Sequence, residues 1–218
     1  MTNAWYVGYK AAHHATGFMA WTSAVVALAL VAMHVKHYTM PHVQRHINRV
    51  ILIVPVFSLL SWIALVTNDE NAVYIEVVRD CYESWVVYNF LNLCLAYVGG
   101  PGAIVNAMSG KEIKSGSWLK MTCFYERDLI VDGNFIRKCK QGCLQFVYIK
   151  PILSILEIVL HAKGRLGDGQ INFLKAYVYI LFVYNISYTV ALYALWMFYL
   201  GAHDPLAKYN PLLKFIIV

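Results

Sequence analysis

The sequence predicts an all-α polytopic membrane protein, and three observations predict it. Hydrophobic residues make up 60% of the 218 and charged residues only 14%, against about 45–50% and about 25% in soluble domains. Mean hydropathy is +0.53. The apolar residues gather into runs near the about 17–25 residues that a spanning helix needs. This composition excludes a soluble enzyme, a disordered tail and a secreted disulfide scaffold. The eighteen Lys and Arg outnumber the twelve Asp and Glu, but they lie mostly between apolar runs. There they set topology and meet anionic lipid head groups rather than nucleic acid. Five cysteines without a CxxC spacing signal neither a disulfide framework nor a zinc site.

Five complete spans are expected, followed by the start of a sixth. Ala15 to Val35 contains no Lys, Arg, Asp or Glu. Val50 to Thr67 contains one proline, Pro55, which is expected to kink it. Glu83 to Val98 starts on an acid, carries Asn89 and Asn92, and stops at Gly99-Gly100-Pro101. Cys143 to Ala162 contains Lys150, Pro151 and Glu157, and Ala176 to Leu200 is rich in tyrosine. The closing run Pro211 to Val218 covers about 12 Å as a helix, against a hydrocarbon core of about 30 Å. It is either a short amphipathic tail on the membrane surface or the beginning of a sixth span.

Loop charges orient the chain. With the N-terminus outside, the inner loops hold twelve Lys and Arg, seven of them between Lys111 and Lys140, and the outer loops hold five. The inside-positive bias therefore predicts an outside N-terminus. The basic segment Met108 to Gln141 becomes a cytoplasmic loop, and the acidic stretch Asp69 to Glu83 falls on the outer side.

Ionisable groups within a membrane are functional candidates by default, since each costs about 2.5–3.5 kcal/mol at mid-bilayer. Lys150, Ser154 and Glu157 share one helical face, and His161 extends that stripe. Lys150 and Glu157 are about 10.5 Å apart along one helix, too far to pair directly. Each needs a partner on another helix, water in a cavity, or a snorkelling route. On the third span, Tyr82, Trp85, Asn89 and Asn92 form a second stripe, with Arg79 spaced to pair with Glu83. The asparagines are either interhelical glue or groups that hold polar parts of a solute. On the fifth span, Tyr184, Asn185 and Tyr188 lie too centrally for interface anchors and would line a cavity for an amphipathic ligand. His34, His37, His42 and His46 cluster without a carboxylate or cysteine nearby, so a pH-sensitive interfacial loop is favoured over a metal site. Cys123, Cys139 and Cys143, in or beside the basic loop, are candidate acylation sites. No motif of an enzyme, a metal centre or an organic cofactor is present.

Several stretches together resemble one family: HVKHYTMPHVQRHINRVILIVPVFSLLSW at His34 to Trp62, RDCYESWVVYNFLNLC at Arg79 to Cys94, CKQGCLQFVYIKP at Cys139 to Pro151, YILFVYNISYTVALYALWMFY at Tyr179 to Tyr199, and the closing YNPLLKFIIV. The chain is similar to the organic solute transporter alpha-subunit and the transmembrane protein 184 group, and resembles the latter branch more closely. The resemblance implies seven helices with the N-terminus outside, with Pro211 to Val218 opening the sixth. It also implies facilitated movement of steroid- or bile-acid-like anions, with a single-span partner subunit or a second copy as partner. The host membrane would be the plasma membrane or an endosomal or vacuolar one. On this reading Arg79, Glu83, Trp85, Asn89, Asn92, Lys150, Ser154, Glu157, Tyr184, Asn185 and Tyr188 line a solute path, with Lys150 as counter-charge. The alternative is a seven-helix receptor or scaffold without transport, docking partners or lipid through the basic loop.

Overall fold

The computed structural model describes residues 2–67, 69–108, 112–113, 129–130, 132–165, 176–203 and 206. The expected opening of a sixth helix, 211–218, lies outside them. Seven helices are described: α1 (Thr2–Lys36), α2 (Pro41–Ile51), α3 (Ile53–Val66), α4 (Asp69–Tyr97), α5 (Pro101–Met108), α6 (Gly133–Ala162) and α7 (Ala176–Gly201). Two residues at each end of the loop before α6, β1 (Glu112–Ile113) and β2 (Leu129–Ile130), pair antiparallel, with Glu112 opposite Ile130.

Four segments among the described residues are long and apolar enough to cross a membrane: Ala12–Lys36, Pro41–Val66, Gly133–Ala162 and Ala176–Gly201. The second begins nine residues before the predicted run at Val50, because His42, Arg45 and His46 extend it as the polar face of α2. Its break falls at Leu52, between α2 and α3, three residues ahead of Pro55. Proline 55 has no N–H to donate to the Ile51 carbonyl and its ring crowds that carbonyl, so the distortion lies in the preceding turn. Helix α4 is long enough to span, but its acids, Arg79 and three asparagines make it less apolar than the other four. It starts at Asp69 rather than Glu83, since no Gly or Pro interrupts that stretch and acids suit a helix N-terminus. Helix α6 starts at Gly133, ten residues before the predicted Cys143. Asp132 caps it by accepting a 2.7 Å hydrogen bond from the Phe135 N–H.

The packing neighbours follow in the order α1, α3, α4, α6, α7, with α2 against α1 and α4. Consecutive long helices run antiparallel. Lipid is as apolar as leucine, so close approach of small residues substitutes for hydrophobic drive. Gly17, Ala20, Ala24 and Ala27 recur at three- and four-residue spacing on α1, and the three alanines are buried. On α7, Ser187, Ala191, Ala194 and Gly201 form the equivalent buried stripe. It meets Gly142, Cys143 and Phe146 on α6. Gln145 and Ser187 fix the α6–α7 register: the Gln145 amide donates to the Ser187 carbonyl at 2.7 Å, and the Ser187 hydroxyl donates back at 2.9 Å. Gln44 fastens the α1–α2 turn by donating to the His37 carbonyl at 2.7 Å and accepting from the Met40 N–H at 3.0 Å.

The core is lopsided. Phe90, Leu91, Ile104, Phe135, Cys143 and Phe198 belong to one buried cluster, drawn from the second half of α4, from α5, from the start of α6 and from the end of α7. This end carries the basic loop. At the opposite end the same helices hold polar groups and leave a cleft between them.

A close small-residue contact lies at Gly17, where an added Cβ would lie 2.7 Å from Trp62 Nε1 and 2.9 Å from Cε2. Gly17→Ala is expected to cost about 1–3 kcal/mol through overpacking. Gly102→Ala, where a Cβ meets nothing within 4 Å, is expected to cost nothing measurable. Thermal unfolding of the detergent-solubilised variants checks both.

Candidate functional site

The cleft at the open end holds about 300 Å³ and lies between α4, α6 and α7. Its charged lining comes from Arg79, Asp80 and Glu83 on α4 and from Lys150 and Glu157 on α6. Asp80 is its centre. One carboxylate oxygen lies 2.8 Å from the Lys150 ammonium, and the other accepts from the Arg79 guanidinium at 3.3 Å. The side chains of Lys150 and Asp80 are 11% and 20% exposed, so little water dilutes their attraction. Arg79 also donates to the Ser61 hydroxyl at 3.5 Å and lies 5.7 Å from the Phe57 ring centroid, tying the centre to α3.

Lys150 finds its second partner on α7. Its ammonium sits 4.0 Å from the centroid of the Tyr184 ring, within cation–π range. Tyr184 stacks on Tyr188 with centroids 5.9 Å apart and planes 13° apart, and Phe146 closes on both at 6.0 and 5.7 Å. The floor of the cleft is thus aromatic. Buried Ser154 lines the wall.

The residues expected along one path divide into two groups. Arg79, Glu83, Lys150, Ser154, Glu157 and Tyr184 line the cleft, and Tyr188 supports it from below. Trp85, Asn89 and Asn92 do not line it. At 3.6 residues per turn, Trp85 and Asn92 lie about 200° and about 180° around α4 from Glu83, and that face meets α2. There the Asn89 amide donates to the Trp85 carbonyl at 2.8 Å, while its oxygen faces Arg49 at 3.2 Å and His46 at 3.4 Å. Arg49 also lies 5.3 Å from the Trp85 ring centroid. Tyr82 donates to the Arg49 carbonyl at 2.9 Å, close to the helix break. Asn89 is the interhelical glue of the two readings. Asn185 is exposed and donates to the Leu181 carbonyl of its own helix at 2.7 Å, outside the cleft. Arg79 turns to Asp80 and not to Glu83, because Asp80 is also the residue that Lys150 reaches.

Cys139 and Cys143, two of the candidate acylation sites, lie inside the packed α6–α7 contact. Both face the core, at 1% and 0% exposure, and the Cys143 thiol lies 3.7 Å from the Ala191 carbonyl. Acylation needs an accessible sulfur, and the α6 stripe that packs on α7 buries these two. Cys123 lies outside the described residues. Among the described residues, no group of three or more His, Cys, Asp or Glu is placed to hold a metal ion. His37, just after α1, lies beside the Met33 carbonyl of that helix, whereas His46 turns to α4.

Residues 12–218 match the sequence model of the family described as organic solute transporter Ostalpha. The chain belongs to this family. It is also 31% identical over 202 residues to a transmembrane protein 184 homolog from Dictyostelium discoideum, covering 92% of this chain and 39% of that relative. The chain therefore spans about two fifths of that relative's length. No solved structure matches it. The family is described as one of organic solute transporters, and four segments of this chain are long and apolar enough to cross a membrane.

Three outcomes are expected. Asp80→Ala, which strands two cations, should destabilise the protein by about 3 kcal/mol or more. Lys150→Ala should cost less, because Arg79 still holds Asp80, and a double-mutant cycle in thermal unfolding measures the coupling. In thiol labelling of the native protein with a membrane-permeant maleimide, Cys139 and Cys143 should remain unmodified while Cys81, half-buried, reacts.

Proposed function

We propose that this chain binds amphipathic organic anions of the steroid-conjugate or bile-acid class in the cleft between α4, α6 and α7 and supports their facilitated movement across the membrane. In this reading α4 completes five spans with the N-terminus outside, as the loop charges favour, and the cleft opens on the outer side. A single-span subunit or a second copy accompanies it, in the plasma membrane or an endosomal or vacuolar one.

The observation that carries the reading is the double engagement of Asp80. The cleft lining holds two cations against three carboxylates, so it is not a simple anion trap. Asp80, however, has two cationic partners and needs only one. A sulfate or carboxylate arriving at Lys150 can take the place of Asp80, which stays on Arg79. Each close pair is worth about 4 kcal/mol at the effective dielectric near a protein surface, so the exchange is close to neutral and the site can release what it binds. Rings of the solute would lie against Tyr184, where aromatic faces contribute beyond their buried area.

Flux of a labelled steroid sulfate into proteoliposomes tests this. Lys150→Gln is expected to lower flux about tenfold or more, and Asp80→Asn, which frees Lys150, to tighten binding of the sulfate. Asn185→Ala, outside the cleft, should leave flux unchanged. Flux indifferent to Lys150→Gln would overturn the assignment. Saturable binding without flux would replace transport by the receptor reading.

A further inference from the structure

A second cavity, of about 290 Å³, lies at the packed end, bounded by the start of α2, the end of α4, the Gly99–Pro101 turn and the start of α6. Its polar lining is His42, Arg45 and His46 from α2, Asn92 from α4 and Lys140 from α6. Two permanent cations and two imidazoles therefore converge from two helices that are not neighbours in sequence. Among the described residues, no carboxylate lines it. The contrast with the cleft is direct: there both cations have an acid beside them, and here the described lining carries cations without an acid.

A glycine turn forms part of its rim. Gly99 and Gly100 turn the backbone between α4 and α5 at φ +87° and +99°, and a Cβ on Gly100 would meet nothing within 4 Å. The Gly99 and Gly100 N–H groups are taken by the Ala96 and Leu95 carbonyls, so the turn closes α4 and leaves recognition to the side chains. Arg45 and His42 are exposed while His46 and Lys140 are half-buried, an arrangement that leaves a mouth for a ligand and a floor of donors.

We propose that this cavity is a binding site for a phosphate monoester. Arg45 offers the planar fork that fits phosphate oxygens in pairs, Lys140 a point charge, and Asn92 and the imidazoles neutral or charged donors. The source we favour is a phospholipid head group. The cavity sits at the end that carries the basic loop, and basic pockets between membrane helices on that side hold anionic head groups. The site shares no residue with the cleft and does not depend on transport.

The test is equilibrium binding of dioctanoyl phosphatidic acid to the purified protein in neutral detergent, with dioctanoyl phosphatidylcholine as the control. Saturable binding is expected to weaken roughly fivefold for each cation removed, in Arg45→Gln and in Lys140→Gln, and about 25-fold in the double variant. Arg45→Lys, which keeps the charge and loses the planar fork, should bind between the unmodified protein and Arg45→Gln, and unchanged thermal unfolding of the ligand-free variants separates lost binding from lost folding. Inorganic phosphate binding as tightly as the lipid, with the same loss in the variants, would support the site and assign it to free phosphate. Phosphatidic acid binding that is unchanged in the double variant, or equalled by phosphatidylcholine, would overturn it. Stronger competition by a polyglutamate peptide would also overturn it, in favour of an acidic protein segment.

Discussion

The Arg79–Asp80–Lys150 bridge is the constraint on which the rest of the arrangement depends. A charge at mid-bilayer costs about 2.5–3.5 kcal/mol, and α4 and α6 bring five into one cleft. Such helices are tolerable side by side only if the charges answer one another across the interface. Asp80 does this for two cations at once, linking α4 to α6 through Lys150 and, through Arg79, to Ser61 on α3. That permits the least apolar of the long helices to pack in the middle of the row instead of at its edge.

The same three helices, α4, α6 and α7, serve two purposes at their two ends. At the basic-loop end, large apolar side chains such as Phe198, Leu91 and Ile104 are fully buried, and small residues on α7 bring it close to α6. At the other end the side chains become longer and polar, and the space between the helices remains. A firmly packed end gives a fixed frame from which the cleft side chains project. The Gln145–Ser187 pair lies between the two regimes and sets the α6–α7 register on which the Lys150–Tyr184 contact depends.

Much of this was legible in the sequence, for physical reasons. Uninterrupted apolar runs mark Ala12–Lys36 and Ala176–Gly201 because lipid leaves no other solvent for such surfaces. Glycine pairs end α4 where expected. The Lys150, Ser154, Glu157 stripe reaches the cleft because three- and four-residue spacing holds on any helix. What the sequence hid were relations between helices. Asp80 stood among other acids of the α4 N-terminal half, and nothing local distinguished it as the one facing Lys150. Trp85, Asn89 and Asn92 shared a face with each other but not with Glu83, a distinction that a count of about 100° per residue could have drawn. The start of α6 at Gly133 was obscured because its first turns carry Arg137, Lys138 and Lys140, which resemble loop. The burial of Cys139 and Cys143 follows from that same extension.

The most direct test of the central claim is a structure of the protein in a lipid bilayer with a steroid sulfate bound. The account predicts the sulfate beside Lys150, its rings against Tyr184, and Asp80 withdrawn onto Arg79. A solute bound elsewhere, with the Asp80–Lys150 pair still closed at its 2.8 Å separation, would contradict it.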